Sequence, residues 1–189
     1  MNLLQRIKEE TKTNHQNVEK VLVEELKNLA SLDAYASLLE RLHAFYNPIE
    51  KKLQTKIKAS VIPDISARQH VENLRKDIEI IRKNAVVTNE TTSTVHIENT
   101  SYALGVLYVI EGSTLGGQII TKMLDKHLSV STINANNYFN SYGDNTPEMW
   151  SKFKNYVLNP TLKIDQELMI QGAKDIFASL QNHLLQTKS

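Results

Sequence analysis

A cation, an imidazole and a carboxylate stand in a row near the start of this sequence. His15 falls within the apolar series Leu4, Ile7, Thr11, His15, Val18, Leu22 and Leu26, which advances in steps of three and four and so marks one helix face. Glu19 is one turn further on, close enough to accept a hydrogen bond from Nδ1–H. Such a bond fixes the tautomer and leaves Nε2 free for a metal. Lys8 lies two turns earlier on the same side, where an ammonium can meet an anion. A core histidine with its hydrogen bonds satisfied is the plain alternative, and this spacing alone leaves both readings open.

The second feature runs from Tyr102 to Leu124. It is apolar enough for burial and long enough for a helix, yet it carries Gly105, Gly112, Gly116 and Gly117. Glycine inside a helix costs about 1 kcal/mol relative to alanine, so the segment gives up roughly 4 kcal/mol of propensity. At about 100° per residue, Gly105, Gly112 and Gly116 share a stripe roughly 40° wide. One face therefore shows bare backbone to a close neighbour, either a tightly packed helix or a flat ligand. The Gly116-Gly117 pair is also a place for a bend. Together, the charged row and the side-chain-free ridge suit a flat ligand with a metal centre and acidic edges. Haem has that description.

Other chemistries find little support. His43 lies on an apolar stripe between Leu39 and Tyr46 and reads as a core or surface histidine; His70, His96, His127 and His183 read as solvated. Glu40 stands three before His43, but a ferritin-like di-iron bundle needs a second Glu-x-x-His, which is missing. There is no HExxH, Walker A or GxGxxG motif. The absence of cysteine excludes disulfides, thiolate nucleophiles, iron–sulfur clusters and CxxCH haem attachment. A net charge of +1 with interspersed signs gives no nucleic-acid footprint. No signal-peptide core, membrane-length apolar run or terminal anchor is read, so a soluble, cytoplasmic protein is expected.

The elements that must position these residues are helical, because period-two alternation is scarce. The periodicity predicts a first helix over about 2–28 and a second over about 33–58, kinked or interrupted at Pro48. A turn at 62–66 with Ser66 as N-cap leads to a third helix ending near Lys83. Residues 86–98 read as a loop, followed by the glycine-bearing helix. An irregular stretch over 129–146 includes a turn at Gly143-Asp144. A short helix begins near Pro147, and the last spans about 160–186 with Pro160 at its first position. The expectation is an all-α, single multi-helical domain over 1–189.

In this order, the segments resemble the haem oxygenases, and the resemblance covers nearly the whole chain. Ile7-Lys8-Glu9-Glu10-Thr11-Lys12-Thr13-Asn14-His15-Gln16-Asn17-Val18-Glu19 resembles their proximal helix, where a threonine precedes the iron-ligating histidine by four residues. Leu107 to Gln118 (LYVIEGSTLGGQ) is similar to the distal helix of the bacterial, biliverdin-producing members. Asn137 to Gly143, with Trp150 and Phe153 after it, is similar to the segment that follows there. Ala173-Lys174-Asp175-Ile176-Phe177 resembles the last core helix, whose phenylalanine lines the haem pocket.

The resemblance implies haem held between the first helix and a kinked, glycine-rich distal helix. His15 ligates the iron and Glu19 orients it. Gly112 and Gly116 let the distal helix lie close, with room for dioxygen. Lys8 and Lys154 meet the propionates, and Phe177 packs at the ring edge. Mammalian members carry aspartate directly after the first distal glycine; Ser113 stands here, as is common in bacterial ones. Ordered water is then sought from Tyr108, Gln118 or backbone, with Ser113 adding one hydrogen bond. Haem is substrate and cofactor together, cleaved with dioxygen to biliverdin, carbon monoxide and ferrous iron. The chain has no redox motif, so electrons come from a ferredoxin, flavodoxin or reductase, with the basic patch around Lys8 and Lys12 as its dock. The alternatives are a haem-binding protein that stores, senses or transfers haem uncleaved, and the same scaffold working without haem.

Overall fold

A computed structural model describes residues 1–83 and 95–187, and every regular element among them is helical. The expected loop over 86–98 falls largely outside the described residues; Val95 to Glu98 are irregular.

The first helix is divided. Asn2 opens α1 (Leu3–Glu10) through a reciprocal capping box with Gln5, and α2 (Lys12–Lys27) follows after a break at Thr11. Thr11 is buried, and its hydroxyl donates to the Ile7 carbonyl at 2.7 Å while its N–H donates to the same oxygen at 3.0 Å. Hydroxyl back-bonding of this kind bends a helix, which the apolar periodicity does not register. The His15 N–H still reaches the Thr11 carbonyl at 2.9 Å, so the turn carrying His15 is tied directly to the break.

Ser31 caps α3 (Leu32–Lys56), its side chain accepting from the Ala34 N–H at 3.1 Å. The expected interruption at Pro48 is not found: α3 runs through it. Phe45, Tyr46, Ile49 and Leu53 on both sides are buried, and that packing holds the helix across the missing hydrogen bond. Ser66 does not cap the next helix either. It falls in a 3-10 turn, Ile65–Ala67, and α4 (Val71–Ile81) starts later. Its first N–H groups are satisfied from α3, where Glu50 Oε2 accepts from His70 at 2.7 Å and Val71 at 3.1 Å.

Asn99 caps α5 (Thr100–Asp125), which continues unbroken through Gly116 and Gly117. An irregular stretch then turns at Gly143, whose φ of 53° places it in the left-handed region. Next come α6 (Thr146–Val157) and α7 (Gln166–Gln186). Pro160 precedes α7 instead of opening it. Asn159 Oδ1 accepts from the Thr161 N–H and hydroxyl in a local turn, and Asp165 supplies the cap by accepting from the Leu168 N–H at 3.1 Å.

Packing centres on α7, which lies against α5, α2 and α1, while α3 pairs with α4. By length and composition α5 is apolar enough to cross a membrane. Ala103, Leu104, Val106 and Leu107 are nevertheless buried within the protein, and a core helix meets the same criterion. The α5–α7 crossing explains two glycines. A Cβ on Gly105 would fall 1.8 Å from the Met169 carbonyl oxygen, and one on Gly172 would fall 2.3 Å from that of Tyr102. Gly116 differs: beyond its own helix backbone, no atom of the described residues lies within 4 Å of its would-be Cβ. Urea unfolding should separate the two classes. Gly105→Ala is expected to lose about 2–3 kcal/mol to backbone overlap, and Gly116→Ala to gain about 0.5–1 kcal/mol from helix propensity.

Candidate functional site

Bare backbone on α5 does two different jobs. Gly105 is consumed by α7, and Gly117 by the 135–142 stretch, where its Cβ would meet the Phe139 carbonyl oxygen at 1.7 Å. Gly112 and Gly116, one turn apart, are spared such contact. Only the tip of the Trp150 ring comes near the first, with Cη2 3.8 Å from its would-be Cβ. Leu115 and Ile119 flank the strip and are largely exposed. Tyr108, one turn before Gly112, meets Trp150 with ring centroids 5.5 Å apart and closes the strip at that end. Burial raises the Tyr108 pKa, so its phenol keeps its proton.

His15 is exposed on α2, and its ring lies 5.5 Å from Phe177, tilted by 40°. Phe177 itself is buried on α7. Because α7 packs against both α2 and α5 while those two meet only narrowly, α7 forms their shared floor. The structure thus brings His15 to Phe177 and lines up Tyr108, Gly112 and Gly116. Glu19 is exposed, and among the described residues no hydrogen bond joins it to His15. Lys8 is exposed and Lys154 half-buried, and neither forms an ion pair among the described residues. Nearby Arg6 and Lys174 are both engaged with Glu10. The Ser113 hydroxyl donates to its own helix, at the Ile110 carbonyl 2.7 Å away, and the Gln118 amide donates to the Gly143 carbonyl at 3.1 Å. A cavity of about 480 Å³, lined by Tyr102, Gln171 and Asp175 among others, includes none of these expected site residues. Its α7 residues lie on the helix face away from Phe177.

Directly behind Gly112 is a buried polar cluster. Glu111, fully buried, is ion-paired with Arg68. It accepts from the Tyr142 hydroxyl at 3.0 Å and contacts His70 Nε2 at 2.9 Å. Arg68 also donates to Asp64 at 2.9 and 3.0 Å and to the Met149 carbonyl at 3.2 Å, and its guanidinium lies 5.9 Å from the centre of the Phe153 ring. Burial opposes the Arg68 charge, but hydrogen bonding to Asp64 and the charge of Glu111 outweigh it, and the guanidinium pKa is raised. Burial first, and then the Glu111 charge, push the Tyr142 phenol well up.

The family model described as Heme oxygenase matches residues 1–186. The chain belongs to the haem oxygenase family. A heme oxygenase of Xanthomonas campestris pv. campestris (strain 8004) is 32% identical over 124 residues, which cover 65% of this chain and 70% of that protein.

Within this haem oxygenase fold, His96 and His127 are exposed as expected, and two other histidines need correction. His70, expected in solvent, is 5% exposed and bound to Glu111. His183 is half-buried, with Nε2 2.9 Å from the Arg41 carbonyl oxygen. His43 is a core residue whose pKa is lowered by burial, then by Lys51 and Arg75. The Arg68–Glu111 cluster escaped sequence reasoning. Its one signal was a carboxylate between Ile110 and Gly112 in an otherwise apolar run, where an ion has to find a partner. Removing one partner strands the other. Glu111→Ala is expected to cost about 3–5 kcal/mol in chemical denaturation, and the Arg68→Met/Glu111→Leu double variant to recover most of it.

Proposed function

We propose that this chain, acting as one domain over 1–189, is an active haem oxygenase of the cytoplasm that cleaves haem to biliverdin, carbon monoxide and ferrous iron. Dioxygen and electrons from an external ferredoxin, flavodoxin or reductase drive the reaction. The carrying observation is Gly116. It gives up helix stability and meets no atom of the described residues in return, unlike Gly105, Gly117 and Gly172. A flat group lying against the backbone of α5 accounts for it.

The residues present fit haem. His15 offers an exposed imidazole over Phe177, able to ligate iron through Nε2, and Glu19 is one turn away to orient it. Lys8 and Lys154, free of carboxylate partners among the described residues, suit propionates. Haem supplies the iron at which dioxygen is reduced and the ring that is opened. The chain's own work is holding, orienting and hydrating. Gly112 and Gly116 admit dioxygen and little else. Ser113 spends its proton on Ile110, so it can accept but not donate toward the strip. Gln118 gives one amide N–H to Gly143, whereas the Tyr108 hydroxyl, protonated and beside the strip, is a ready donor for ordered water.

Aerobic incubation of the haem-loaded protein with an electron donor is expected to bleach the Soret band and give biliverdin absorption with carbon monoxide. His15→Ala should lose the histidine-ligated spectrum and turnover, and Glu19→Ala should lower activity roughly 10-fold. A bound Soret band that persists under these conditions would favour storage, sensing or transfer of haem. Failure of the wild type to bind haem would remove both readings.

A further inference from the structure

The open strip on α5 has one closed end. Trp150 stands there, with its ring tip 3.8 Å from the place of a Gly112 side chain, whereas, beyond its own helix backbone, no described residue comes within 4 Å of the place of a Gly116 side chain. A flat ligand centred on the strip meets an indole wall at the Gly112 end and open space at the Gly116 end. The wall is itself fixed from behind. Trp150 stacks on Phe153 at 5.6 Å and 20°, and Phe153 is fully buried. Arg68 faces that Phe153 ring and donates to the carbonyl of Met149, the residue before Trp150. Glu111, on α5 beside Gly112, holds Arg68 in turn. The cluster therefore fixes α6 against the glycine strip. Lys154, one turn after Trp150 on the same helix, is set by the same contacts.

We propose that Trp150 limits how the macrocycle turns in its plane about the iron held by His15, and hence which meso edge is opened, with Arg68 as its positioning residue. This rests on the haem reading above. Trp150 is a steric stop and takes no part in bond making. Arg68 acts only through α6.

The test uses haem-loaded wild type, Trp150→Phe, Trp150→Ala and Arg68→Lys. Seating is read from the haem methyl resonances of the ferric cyanide complexes by proton NMR, and the product isomers are separated by chromatography after one turnover. Trp150→Ala is expected to shift the methyl pattern and change the isomer ratio several-fold. Trp150→Phe should change both less, and Arg68→Lys should move the pattern in the same sense as Trp150→Ala. The NMR arm reads seating even where no turnover occurs. A Trp150→Ala protein that binds haem stoichiometrically with a wild-type methyl pattern and isomer ratio would overturn the inference while leaving the haem reading intact. A wild type that binds no haem would overturn both.

Discussion

Two helices touching backbone to backbone set the geometry of everything else. Where α5 crosses α7, the Met169 carbonyl occupies the side-chain space of Gly105 and the Tyr102 carbonyl that of Gly172. The contact is reciprocal, so neither helix can shift along the other without driving an oxygen into a Cα. That fixes Phe177, about two turns beyond Met169 on α7, relative to the glycine strip that begins about two turns beyond Gly105 on α5. His15 then meets Phe177 because α2 packs on the same helix.

The Arg68–Glu111 cluster complements this contact by charge. Moving ions out of water costs several kcal/mol each, so a fully buried pair adds little net stability. What it adds is definition. Glu111 on α5 is met by Arg68 and His70 from the segment before α4 and by Tyr142 from the stretch before α6, so three parts of the chain have to converge on it. Asp77 acts similarly further along, accepting from the Asn137 N–H at 2.9 Å and the Tyr138 N–H at 2.8 Å. Two buried carboxylates thus pin the stretch between α5 and α6, which has little regular structure of its own.

The helical class was legible because apolar spacing reports which face is buried. The exact breaks were not. Thr11 divides the first helix through a hydroxyl bond to Ile7, and Pro48 fails to divide α3 because packing outweighs a lost N–H. Spacing sees neither effect. The glycines show the same limit at the site. Gly105, Gly112 and Gly116 share a stripe in sequence, yet the structure gives Gly105 to another helix and leaves the other two open. The angle around a helix was available from the sequence; the position of α7 along it was not. His70 was misplaced for a related reason, since its partner Glu111 is 41 residues away and no local pattern joins them.

Order along the chain has a consequence for biosynthesis. The helix that covers α1, α2 and α5 is the last one described, so a ribosome delivers it after its partners. Until then the face of α5 that α7 covers, around Gly105, lacks its native neighbour, and a nascent chain at that stage is a natural client for chaperones that shield greasy segments. The α5–α7 crossing accordingly forms only once α7 has been translated, whatever pairs such as α3–α4 have done before it.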